Sequence, residues 1–198
     1  MVGYNINYSV DYLFPIPIHS FYLQGFEDVK DGLINYAYDF KKRDPIGRVI
    51  SNRGGWQSPM FNVDQNNDLL HTVLINFFNK IPFIKRKIGC AAWININKSG
   101  DYNIKHSHPG AHLSGVLWIK TPENCGDVEF YSPTYFKDFQ LVESYVDEFR
   151  NNSNCDHNFF YEPIEGRMLL FPSHLEHQVL ESNSNEDRIS VSFNIKIC

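Results

Sequence analysis

Long apolar runs, a cationic surplus and a disulfide framework are all missing from this sequence. No stretch approaches the roughly 18 to 20 consecutive apolar residues that a membrane-crossing helix requires. The opening MVGYNINYSVDYLFPIPI has no basic segment followed by an uninterrupted apolar core, so no secretory leader is expected and a cytoplasmic location is. Lys and Arg number 18 against 23 Asp and Glu, a formal net charge of −5. That balance disfavours nucleic acid as a partner, with Lys85-Arg86-Lys87 as a local basic exception. The four cysteines (Cys90, Cys125, Cys155, Cys198) lie far apart without a CxxC pair and read as free thiols. Repeats of 20 to 50 residues and low-complexity tracts are also absent.

What is present is burial capacity. With 42% hydrophobic and 15% aromatic residues, the 198-residue chain has too much apolar surface for a disordered segment and enough length for one sizeable core. Its texture changes near residue 86. Before that point, Val29, Leu33, Ile34, Ala37 and Phe40 recur at helical spacing, predicting a helix over roughly Phe26 to Lys42. Leu69, Leu70, Val73, Leu74, Phe77 and Phe78 predict another over roughly Asn66 to Lys80. The Gly-rich Ser51 to Ser58 segment between them reads as an ordered loop.

After residue 86 the period becomes two. Cys90–Asn97, Leu113–Lys120, Asp127–Tyr131, Arg167–Phe171, Glu176–Leu180 and a last segment from Arg188 are strand candidates. In the last, Arg188, Ser190, Ser192 and Asn194 share one face, and Ile189, Val191, Phe193, Ile195 and Ile197 the other. The expected fold is mainly β with N-terminal helices: an antiparallel sandwich or barrel whose polar face points inward and whose apolar face the helices cover. It forms a single domain over 1–198, with helical and loop support over 1–85 and the β core over 86–198. Residues 134–162, with Phe139, Val142, Tyr145, Val146 and Phe149, predict an inserted amphipathic helix and loop, suited to a lid or to decoration.

The histidines carry the chemistry. In an extended segment His106 and His108 stand at i and i+2, on one face and about 7 Å apart at their Cα atoms, so both can converge on one metal ion. His177 follows an apolar strand and the Pro172-Ser173 corner, where a third ligand can arrive from another strand. Three ligands on one side of an ion leave open positions, the mark of a catalytic site. His174 is expected at the entrance, and His112, in the context of a strand start, stays outside the ligand set. Arg188, on a polar inward face, needs an anionic partner because an unpaired buried charge is costly. No neighbouring strand offers a carboxylate there, so a ligand carboxylate is expected, with the Ser190 hydroxyl beside it.

Gly100-Asp101-Tyr102-Asn103, His106-x-His108-Pro109, Leu113-Ser114-Gly115-Val116, Phe171-Pro172-Ser173 ending at His177, and Arg188-Ile189-Ser190 together resemble the Fe(II)/2-oxoglutarate-dependent oxygenases, and more narrowly the small bacterial and phage type. Leu13-Phe14-Pro15-x-Pro17 and the Ser51-Asn52-x-Gly54-Gly55-Trp56 loop fit the same group, so the resemblance covers nearly the whole chain. It implies a double-stranded β-helix, Fe(II) as metal, and 2-oxoglutarate and O2 as partners, with succinate and CO2 released as an unidentified substrate is hydroxylated. It implies iron ligands among His106, His108 and His177, the 5-carboxylate of the cosubstrate on Arg188 and Ser190 near Asn103, and Trp93, Asn95 and His174 as pocket candidates.

One departure stands out. The usual His-x-Asp or His-x-Glu of this group is His-x-His here, which leaves open a three-His centre, a two-His centre, or one completed by water. A cupin-type three-His metalloenzyme without 2-oxoglutarate fits the His spacing too, as does a non-catalytic β-helix binding module; Arg188 is the residue a cupin does not need. A homodimer is left open.

Overall fold

Alternation in the last strand, Arg188–Ile197, organises the molecule. Its odd-numbered side chains Ile189, Val191, Phe193 and Ile195 are fully buried and pack with Leu33 and Ala37 of helix α1 (Glu27–Arg43) and with Leu70, Val73, Leu74 and Phe77 of helix α2 (Leu69–Phe78). Each such side chain contributes about 1.5 to 3 kcal/mol. Its even-numbered Arg188, Ser190 and Ser192 line a cavity on the opposite face. The inward polar face and the helical cover of the apolar face are therefore as expected.

The computed structural model describes residues 16–63, 68–85, 88–133, 144–153 and 156–197. Two antiparallel sheets face each other, and strands are numbered in chain order. The larger sheet runs β1 (His19–Tyr22), β10 (Arg167–Pro172), β7 (Leu113–Lys120), β12 (Arg188–Ile197), β5 (Ile88–Asn97), β3 (Trp56–Gln57), with β4 (Phe61–Asn62) also paired to β5. The smaller runs β2 (Asn52–Arg53), β6 (Tyr102–His106), β11 (His177–Val179), β8 (Val128–Tyr131), β9 (Asn158–Tyr161). From β5 to β12 consecutive strands alternate between the sheets except at the β8–β9 pair, which stays in the smaller one, and this is the double-stranded β-helix. Among the described residues no helix is long and apolar enough to cross a membrane.

The differences from the sequence expectation have local causes. The first 85 residues supply four short strands as well as helices, because β1 closes the exposed edge at β10 and β2 to β4 close the edges at β6 and β5. These strands have two to four residues, too few to show a period. Helix α1 ends at Arg43, as expected, and Asp44 leaves the helical backbone (φ −134°, ψ 77°) ahead of Pro45, where a helical conformation is disfavoured. The 134–162 segment is more than an insertion: its end is strand β9, paired to β8. Its described helix is the short α3 (Asp147–Ser153), whereas Phe139 and Val142, offered for a longer one, lie outside the described residues.

Helix α2 starts at Leu69 rather than near Asn66 because Asp68 caps it. The Asp68 carboxylate accepts from the His71 backbone N–H (3.0 Å) and the Tyr36 hydroxyl (2.8 Å) and contacts His71 Nδ1 at 2.6 Å. One carboxylate thus joins both helices beneath the larger sheet. An Asp68→Ala variant is expected to lose about 2 kcal/mol of stability, read as a lower urea midpoint, since a cap and a half-buried hydrogen-bond hub go together. An unchanged midpoint would mean the cap is dispensable.

Candidate functional site

The cavity between the sheets is lined by His106, His108, Asn103, Val128, His177 and Val179 on one side and by Trp93, Asn95, Asn97, Val116, Trp118, Phe171, Arg188, Ser190 and Ser192 on the other, with Ser51 at its edge. His106, His108 and His177 each offer one ring nitrogen, and the three atoms lie within 4.8 Å of one another.

Each imidazole arrives by a different device. His106 ends β6, and the register of β6 on β11 shifts: His106 faces His177, whereas Asn103 faces Val179. Three residue steps on β6 thus oppose two on β11, a bulge of the kind that re-aims side chains. Asn103 and His106 both enter the cavity as a result, and Ile104 and Lys105 both face solvent. His108 lies beyond the strand, so the i, i+2 argument from an extended chain does not hold; its backbone N–H donates instead to Ser173 O (2.9 Å). His177 opens β11 after the turn at Pro172–Leu175, closed by Leu175 N–H to Pro172 O (3.0 Å).

Two rings are fixed in tautomer. A carbonyl oxygen only accepts, so His106 Nδ1 donates to Ile104 O (2.7 Å) and His177 Nδ1 donates to Leu175 O (2.9 Å). Both rings therefore present an unprotonated Nε2. Burial disfavours the imidazolium in all three: it lowers the His106 pKa, takes His108 to about 4 with help from His106, and takes His177 to about 3, again with help from His106. Three neutral imidazoles in a buried cluster suit Fe(II) and neighbouring transition metals, and the donor set fits such an ion.

At the other end, Arg188 is 3% exposed. Its guanidinium donates to Cys125 O (2.9 Å) and Gly126 O (3.0 Å), and Nε is buried without a partner. No ion pair to it occurs among the described residues. The two carbonyls are presented by a turn with positive φ at Asn124 (59°) and Gly126 (87°), and a Cβ at 126 would stand 2.2 Å from Leu180 O, which only glycine avoids. An unsatisfied buried cation is costly, and a ligand carboxylate relieves it. Ser190 stands beside Arg188 in the lining, as expected.

Trp93, Asn95 and Asn103 also line the cavity. His174 does not: the tight corner turns it into solvent. His112 is structural, with Nδ1 accepting from Ile197 N–H (3.1 Å). Asn97 and Ser51 were missed. Asn97, 2% exposed with Oδ1 unpaired, faces Arg188 in the β5–β12 register, and its place in the Trp93, Asn95, Asn97 alternation was the available signal. Ser51 accepts from Asn103 Nδ2 (3.0 Å) out of a loop with no periodicity to read.

Fold and site together define a double-stranded β-helix with three converging imidazoles at one end of its cavity and a buried guanidinium at the other. Residues 91–194 match the model of the family described as "Putative 2OG-Fe(II) oxygenase", and the chain belongs to that family. It is an Fe(II)- and 2-oxoglutarate-dependent oxygenase that uses O2. The cupin-type and binding-module alternatives are thereby set aside. No curated protein matches the chain. Among solved structures it is similar to a Pseudomonas putida prolyl-4-hydroxylase, at 13% identity and TM-score 0.62, covering 92% of this chain and 94% of the other. A Trichoplax adhaerens prolyl hydroxylase in complex with a hypoxia inducible factor peptide fragment gives 13%, 0.62, 91% and 83%. HygX from Streptomyces hygroscopicus, with nickel and 2-oxoglutarate bound, gives 7%, 0.54, 92% and 83%. At these identities the likeness is one of fold.

Proposed function

We propose that His106, His108 and His177 together hold the iron, that Arg188 and Ser190 bind the 5-carboxylate of 2-oxoglutarate near Asn103, and that the enzyme hydroxylates its substrate within a single domain. The observation that carries this reading is the pairing of three converging imidazoles with a buried guanidinium that has no carboxylate partner among the described residues. When bound, Fe(II) with 2-oxoglutarate supplies O2 activation coupled to oxidative decarboxylation, releasing succinate and CO2.

The residues of this chain bind, orient and shield. The carbonyls of Ile104 and Leu175 hold the protons of His106 and His177 at Nδ1 and keep the Nε2 lone pairs free. The Cys125 and Gly126 carbonyls direct the Arg188 guanidinium and leave donors to spare for a carboxylate. Trp118, Val128 and Phe171 exclude water from the space between the two ends. The Asn95 amide donates to Ser192 Oγ (3.0 Å) and ties β5 to β12 across that wall.

Anaerobic reconstitution with Fe(II), followed by 2-oxoglutarate and O2, is expected to form succinate even without the primary substrate, and to form none when iron or O2 is left out. Succinate at the level of the iron-free control would overturn the assignment.

A further inference from the structure

The three imidazoles are not held alike. His106 and His177 each have a ring hydrogen bond to a carbonyl two residues back in the chain, and His108 has none among the described residues. Its ring rests on others: centroids lie 4.9 Å from His106, 5.1 Å from His177 and 5.7 Å from Trp93. Among the described residues, the only hydrogen bond that locates the residue from outside its own turn is the one from its backbone N–H to Ser173 O.

Ser173 is itself locked. It is 1% exposed, its N–H donates to His112 O (3.2 Å), and its hydroxyl meets the Ser114 hydroxyl at 2.8 Å. Ser114, also 1% exposed, donates on to Asn194 Oδ1 (2.7 Å), so Ser173 in turn donates to Ser114. This chain runs from the corner after β10, through the start of strand β7, to the polar face of β12, and no other described polar group engages the Ser173 side chain. Two buried hydroxyls at the metal end of an otherwise apolar corner cost stability unless they are paired. Their pairing fixes one backbone oxygen, and that oxygen receives His108.

We propose that Ser173, through its hydroxyl chain to Ser114 and Asn194, is the positioning residue for His108 as third metal ligand. The proposal rests on the reading of His108 as a ligand. The chain substitutes for the missing ring hydrogen bond: His106 and His177 are oriented through their imidazoles, His108 through its main chain. Partners that orient metal ligands typically govern affinity by about 10- to 100-fold, and the lower end applies where the orientation is indirect.

The probe is Co(II), titrated anaerobically into the full-length chain, with affinity and visible d–d absorption as readouts and thermal midpoint as a folding check. Ser173→Ala is expected to weaken Co(II) binding by about tenfold and to move the spectrum towards that of His108→Ala. Ser114→Ala breaks the same chain from its middle and carries the test if Ser173→Ala does not fold. In a His108→Ala background, Ser173→Ala is expected to cause no further loss. Native affinity in both serine variants, with His108→Ala weakened, would overturn the positioning role. Equal losses with and without His108 would also overturn it, because the serines would then act on the fold at large. Native affinity and spectrum in His108→Ala would overturn the ligand reading beneath it, and that result is distinct from the other two.

Discussion

A His177→Ala variant is expected to lose metal binding and, with it, succinate formation. Of the three imidazoles His177 is the most enclosed, at 5% exposure, with Phe171 at 4.9 Å and Phe130 at 5.7 Å between ring centroids. Its Nδ1 proton is committed to Leu175 O, which leaves Nε2 free without a hydrogen-bond partner among the described residues. Removing a direct ligand exceeds the effect of removing a partner of one, so a loss of at least about 100-fold in Co(II) or Fe(II) affinity follows. The ring also fills space in the smaller apolar cluster, and its loss leaves a cavity beside Phe130 and Phe171. A His177→Gln variant keeps most of that volume and separates folding from ligation, both variants being checked by circular dichroism. Stoichiometric iron in a folded His177→Ala protein would sink the metal assignment.

Arg188→Ala is expected to raise the dissociation constant for 2-oxoglutarate by roughly 100- to 1000-fold, the scale of a buried charge pair broken from one side. Calorimetry on the metal-loaded chain under anaerobic conditions reads this directly. Stability should fall far less than affinity. The variant leaves the Cys125 and Gly126 carbonyls without their donor, and it also removes a cation that burial disfavours. Arg188→Lys keeps the charge but not the planar fork, so it is expected to fall between wild type and alanine. Because the role is anchorage rather than chemistry, saturating 2-oxoglutarate should recover much of the succinate rate in Arg188→Ala. Wild-type affinity in that variant would refute the assignment of the cosubstrate carboxylate.

How much of this was legible from residues alone follows the reach of each signal. Alternation over ten residues in β12 disclosed both its faces, and with them Arg188, Ser190 and the apolar seat for the helices. The eight residues of β7 emerged with the bounds the pattern indicated. The two-residue strands β2, β3 and β4 stayed hidden because pairing with a longer partner, not their own period, makes them strands. The cluster of His106, His108 and His177 was foreseen, but by an argument that is right only in its outcome. A regular strand places i and i+2 on one face, and here a bulge and a turn bring the rings together instead. A bulge depends on register with β11, which one strand's sequence does not encode. The Ser173–Ser114–Asn194 chain was beyond reach for a similar reason: three common polar residues, 80 positions apart at the extremes, acquire meaning only when the sheet aligns them.

The two-faced strand β12 has an evolutionary consequence. Ile189, Val191, Phe193 and Ile195 hold the helices while their immediate neighbours Arg188, Ser190 and Ser192 furnish the cavity and Asn194 anchors Ser114, with no intervening residue to absorb a shift. Repacking on one side of the strand is therefore registered on the other within a single peptide unit. Along these ten residues the lineage cannot trade core variants freely against site variants, and drift in the helical layer is constrained by chemistry it never touches.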